Sequence, residues 1–178
     1  YRVLNLNNPF AETTTSYYHK SIGGYHAAKL KRYQELIDNR LDGEVNQIIS
    51  TFSSQNIDTI MASFNKTKAL NMLNAKYVIY HPEQPPLVNP NAMGNAWFVN
   101  EYKLVNNADE EIAAINALDP HTTAVVDKRF ESELSGLKIA PDSTATIELV
   151  SYKPDVLTYK TKAASEQLAV LSEIYFSN

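Results

Sequence analysis

HPEQPPLVNPNAMGN, residues 81–95, holds four of the eight prolines in the chain. Proline fixes φ and removes a backbone donor, so this stretch is expected to hold no regular structure. It must be a long irregular loop, and such loops inside compact domains are often functional or mobile. The residues before it are the opposite. KYVIY, 76–80, is rich in β-formers and apolar on both faces, which predicts a central, doubly covered strand. A covered strand that ends in a proline-rich loop needs sheet neighbours and covering helices from elsewhere in the chain.

Those elements are legible nearby. RVLNL, 2–6, suits a short strand, and residues 7–24 are polar and irregular, with Pro9 and Gly23-Gly24 as punctuation. Leu30, Tyr33, Ile37 and Leu41 fall at helical spacing and predict a helix from about Tyr25 to Leu41, with Gly43 as its stop. Residues 44–64 read as a helix and a loop with Val45, Ile48, Ile49 and Phe52 inward, and residues 66–75 as a short helix. After the loop, AWFVNEYKLV reads as one strand or a hairpin, with Trp97 in the core. ADEEIAAINAL, 108–118, is a helix whose acidic first turn complements its dipole, and TTAVVD is a strand. ATIELVSY, VLTYKTK and LAVLSEIYF then form three strands of an antiparallel meander or half-sandwich.

The expected fold class is therefore α+β: a mixed sheet with flanking helices, then a C-terminal antiparallel region. The character of the sequence changes near residue 130, which suggests an α/β subdomain over 1–130 and a β region over 131–178. Structure at both ends gives the chain the look of a segment cut from a longer protein. No apolar run reaches the ~20 residues of a membrane span.

The chain has no cysteine, which excludes disulfides, thiolate catalysis and zinc–cysteine sites. Sixteen basic against 20 acidic residues argue against a nucleic-acid partner. The histidines, His19, His26, His81 and His121, have no metal-ligand spacing, and His19 and His26 read as surface imidazoles. No cofactor motif, phosphate-binding loop or nucleophile elbow is present, and no catalytic residue is assigned. The candidate ligand-binding residues cluster instead around the glycine pair: Tyr17, Tyr18, His19, Gly23, Gly24, Tyr25, His26, Lys29 and Arg32. Tyrosine rings stack on sugar C–H faces and cations pair with phosphate esters. The competing reading makes this a loop entering an ordinary helix, with Tyr33 in the core and the lysines on a solvated face.

SIGGYHAAKLKRYQELID (21–38), ALNMLNAKYVIYHPE (69–83) and NPNAMGNAWFVNEYKLV (89–105) resemble the bacterial YfhO family of multi-pass membrane proteins, in the form found in Bacteroidetes. The resemblance runs over most of the chain and includes the terminal LAVLSEIYFSN. It implies an extracytoplasmic domain whose first partner is the transmembrane part of the same polypeptide. The family is similar to C-type glycosyltransferases, which use polyprenyl-phosphate-linked sugars at the outer face of the membrane. The implied role is accessory: binding a glycan acceptor or the lipid-linked sugar during cell-envelope glycosylation, with the catalytic acid outside this chain. The alternative is a non-catalytic structural or protein-interaction module.

Overall fold

The computed structural model describes residues 1–25 and 29–174. They form two compact units, Tyr1–Met93 with Ile174, and Gly94–Glu173. The change of sequence character near residue 130 thus falls inside the second unit. The first unit ends with the proline-rich loop.

In the first unit β1 (Arg2–Asn5) is followed by a helical run of about 60 residues. The run comprises α1 (Thr14–Tyr18), α2 (Lys31–Leu36), α3 (Asp42–Thr51), α4 (Ile57–Ser63) and α5 (Lys68–Met72), leading into β2 (Ala75–Ile79). β1 and β2 are parallel, with Leu4 opposite Val78, and β3 (Leu87–Val88) adds antiparallel to β2, a two-residue strand inside the proline-rich stretch that was expected to have none, in the short gap between Pro86 and Pro90. The order β1-β2-β3 puts β2 in the middle, as its apolar run requires. Leu4, Ile22, Ile37, Leu41, Val45, Ile48, Phe64, Leu70 and Val78 form the core, and Ile174 packs against it.

Gly43 does not stop the helix. α2 passes through one π-helical turn, Ile37–Leu41, straight into α3. The wider i→i+5 turn keeps Ile37, Leu41, Val45 and Ile48 all facing inward. That burial outweighs the ~1 kcal/mol a helical glycine costs. Ile49, expected inside, is 42% exposed. At the next start, Asn56 caps α4 by accepting from the N–H groups of Asp58 and Thr59 at 2.8 and 3.2 Å.

In the second unit AWFVNEYKLV is two strands in two sheets rather than one strand or a hairpin. β4 (Ala96–Val99) and β5 (Glu101–Val105) break at Asn100, whose N–H bonds to the Thr122 carbonyl. β5, α6 (Ala108–Ala117) and β6 (Thr123–Asp127) form a parallel β-α-β unit. α6 starts as its sequence demands: Asn107 caps Glu110 N, and the Glu110 carboxylate accepts back from Asn106 N at 2.9 Å. The Asn106 backbone N–H, together with the Asn106 side-chain amide, holds the Glu110 carboxyl below its usual range.

After α7 (Glu131–Leu134), β7 (Thr146–Lys153) and β8 (Val156–Lys162) make an antiparallel hairpin around Pro154-Asp155. β9 (Leu168–Leu171) does not extend that hairpin into a meander. It pairs antiparallel with β4, Trp97 opposite Val170. Trp97 is half-buried, with its indole N–H on the Pro120 carbonyl at 2.8 Å. The fold is α+β with an antiparallel C-terminal hairpin.

Candidate functional site

The candidate residues lie in the first unit, where three short segments are stitched into one corner. Residues 20–22 run beside β1: Val3 N donates to the Lys20 carbonyl at 2.8 Å, and Ile22 N to the Val3 carbonyl at 2.9 Å. This buries Ile22 completely. The chain then reverses at Gly23-Gly24. A Cβ on Gly23 would lie 1.5 Å from the Pro9 carbonyl oxygen. Gly24 has φ +121°, and a Cβ there would meet Ser16 Oγ at 2.4 Å. Both positions exclude side chains, one by close backbone approach and the other by its left-handed conformation as well. The framework of the corner requires both glycines.

The remaining stitches are polar. Tyr25 N donates to the Glu12 carbonyl at 3.3 Å, and the Glu12 carboxylate accepts from Thr15 N at 3.0 Å. Lys29 Nζ donates to the Phe10 carbonyl at 2.8 Å. From the first turn of α2, Tyr33 donates its hydroxyl to the Ile22 carbonyl. Burial pushes the Tyr33 phenol up to about 12. Lys29 was expected on a wet helix face, but α2 begins only at Lys31, so Lys29 precedes the helix and turns back onto the loop.

What remains outward is distinct. Tyr17, Tyr18 and Tyr25 are 83%, 71% and 67% exposed. Tyr17 and Tyr18 meet edge-to-face with centroids 4.9 Å apart. His19 and Arg32 are exposed, and Arg32 forms no ion pair with any described residue. His26 lies outside the described residues. Two further exposed cations, Lys20 and Lys31, belong to the same corner and were not singled out from the sequence. The signal was there: residues 13–34 contain no carboxylate.

A second polar cluster is buried on the far side of α3 from solvent. The Glu44 carboxylate accepts from Ala69 N and Leu70 N, both at 2.9 Å, capping α5 from another helix. Burial holds its carboxyl above the usual range, while the two N–H donors and the charges of Arg40 and Lys68 pull it back. Beside it, Asn71 and Asn89 bond at 2.8 Å, and Asn89 also reaches the Ala75 carbonyl at 3.0 Å. Asn89 N donates to Lys76 O and Met93 N to Asn71 O. These bonds tie residues 89–93 of the proline-rich loop to the first unit, and residues 81–86 stay exposed. These side chains bond to the backbone and to one another, so the cluster is architectural.

Among the described residues no group of three His, Cys, Asp or Glu could hold a metal ion, and no helix is long and apolar enough to cross a membrane. Comparisons with family models, with curated proteins and with solved structures return no match.

Proposed function

We propose that this chain is a binding module of a larger membrane protein of YfhO type, facing the extracytoplasmic side. Its tyrosine corner contacts the glycan acceptor or the polyprenyl-phosphate-linked sugar of a C-type glycosyltransferase-like reaction, and the chemistry is done by the membrane-embedded part. The observation that supports this reading is the corner itself. Three tyrosines, each at least two-thirds exposed, stand on a framework of Gly23, Gly24, Lys29 and Tyr33 that is fixed from within. An aromatic ring with a polar tip, held out in water, suits a pyranose face, and the exposed Arg32 suits a phosphate ester.

The test is titration of the chain with soluble sugar phosphates and envelope glycan fragments, followed by NMR. Tyr25→Ala and Arg32→Ala each weaken binding about tenfold, the equivalent of ~1.4 kcal/mol. Unaltered glycosylation by a full-length protein carrying both changes refutes the reading.

A further inference from the structure

A strand at the border of a sheet offers a row of unpaired backbone groups to any other chain, and proteins block such borders with lysine, proline or very short strands. β8 carries Lys160 and Lys162, and β3 is two residues long between Pro86 and Pro90. β9 has none of these. Its only ladder among the described residues is the one with β4, and that ladder runs without a bulge. From Gln167 to Ser172 there is no charge, no proline and no glycine. The ladder also fixes which groups point away from it. Ser172 N donates to the Asn95 carbonyl at 3.0 Å. Residues of an antiparallel strand face their partner alternately, so Val170 and Leu168 also turn N–H and C=O toward β4. Ala169 and Leu171 turn theirs the other way, and no described residue takes up those outward groups. Leu171 is 42% exposed and Ala169 is half-buried, so this border reaches the surface.

We infer that β9 pairs antiparallel with β9 of a second copy of this chain, about a two-fold axis at Val170. Any extended strand can bond to a bare border, but this one is its own complement. With Ala169 of one copy opposite Leu171 of the other, each outward N–H meets an outward C=O. The two donors and two acceptors of each copy then close four bonds, and none is left over. The two Val170 residues face each other as a non-hydrogen-bonded pair, about 4.5 Å apart at Cα, which suits β-branched side chains. Leu168 falls opposite Ser172, so no like charges meet along the strand. Four residues a side fall far short of the roughly 20–30 of a stable interface, so the dimer is weak and concentration-dependent. The inference is independent of the tyrosine corner and of any ligand there.

The experiment is sedimentation equilibrium of the full chain from about 10 μM to about 1 mM, the span of weak pairing. A monomer is expected at the low end, with a rising dimer fraction that stops at two copies. Ala169→Pro removes one outward N–H from each copy, hence two of the four bonds, and leaves the ladder with β4 whole. It weakens the dimer by about tenfold or more. Ala169→Lys with Leu171→Lys sets like charges opposite one another and abolishes the dimer. Ala169→Lys with Leu171→Glu sets opposite charges there and restores it, a rescue that requires residue 169 to meet residue 171. Circular dichroism and the fluorescence of Trp97, which lies opposite Val170, verify that each variant folds. The two charge variants differ only at position 171, so their comparison stands even where Ala169→Pro disturbs the strand. A chain that is monomeric at about 1 mM, or one that grows past two copies, overturns the inference. So does a dimer indifferent to all three variants, or one that the opposite-charge variant disrupts as fully as the like-charge one.

Discussion

Replacing Glu44 by alanine strips two charge-assisted hydrogen bonds from the start of α5 and leaves the N–H groups of Ala69 and Leu70 buried without an acceptor. Both bonds are 2.9 Å, and Glu44 is only 8% exposed, so water cannot easily substitute. A hydrogen bond to a charged group contributes ~1.5–3 kcal/mol, and two would give up to ~6. The carboxylate, however, is itself costly to bury, as the upward displacement of its pKa shows. The net loss is set at about 2–3 kcal/mol, which lowers the melting temperature of a unit this size by about 10–20 °C. Thermal unfolding of Glu44→Ala followed by circular dichroism measures it.

Glu44→Gln separates charge from geometry: its amide can accept one N–H, but its NH2 meets the other donor head-on. It should lose about half as much at neutral pH. The pH dependence has a definite sign. Burial raises the folded pKa above the unfolded value, so the folded state keeps its proton longer. The stability of the native protein relative to Glu44→Gln is greatest below the ordinary glutamate range and shrinks as pH rises through the folded value. A Glu44→Ala melting temperature within ~2 °C of the native one would show that the cap contributes nothing net. A relative stability growing with pH would show that the N–H donors and Arg40 outweigh desolvation.

Gly43→Ala should raise stability by ~1 kcal/mol in a denaturant titration, because the position is inside α3 and nothing lies within 4 Å of the added Cβ. Gly23→Ala should cost about 3 kcal/mol or more, since the methyl group collides with the Pro9 carbonyl and the backbone must part; soluble, native-like protein at normal yield would contradict this. Tyr33→Phe should cost ~1 kcal/mol and remove the phenol that ionises near pH 12 from an ultraviolet titration. It should also flatten the alkaline decline in stability, which begins near the ordinary value of 10.0 because the folded phenol holds its proton longest.

How much of this fold the sequence discloses depends on how far apart the partners are. β2 is legible because Tyr77, Val78 and Ile79 carry their burial in their own composition, and α6 because its cap and acidic turn are adjacent in sequence. The end of the helix at Gly43 misleads because local propensity, ~1 kcal/mol, competes with several buried side chains that only the folded core supplies. β9 misleads for a related reason. Its hairpin-like spacing favours β8, but the ladder it forms joins Trp97 to Val170, and nothing near either residue announces it. Glu44 looks like one acid among many until α5, some 25 residues on, brings two unpaired N–H groups to it.

The corner shows the same division at the level of single side chains. Gly23-Gly24 marks a turn in any reading, but only the Pro9 carbonyl and Ser16 reveal that both glycines are obligatory. Tyr33 and Tyr25 stand eight residues apart with identical chemistry, and helical spacing puts Tyr33 on the core stripe without showing what holds it there. The Ile22 carbonyl, delivered by the pairing of residues 20–22 with β1, draws Tyr33 inward. Tyr25, fixed by its backbone to Glu12, has its ring left outside. Lys29 and Arg32 divide likewise, because the helix starts two residues after Lys29 and frees it to reach Phe10. The framework thus takes up Lys29 and Tyr33, and Tyr17, Tyr18 and Tyr25 make the exposed remainder richer in tyrosine than the segment as a whole. A corner fixed internally by backbone and glycine contacts keeps that display without using it, which is why loss of the exposed tyrosines should change binding and leave folding intact.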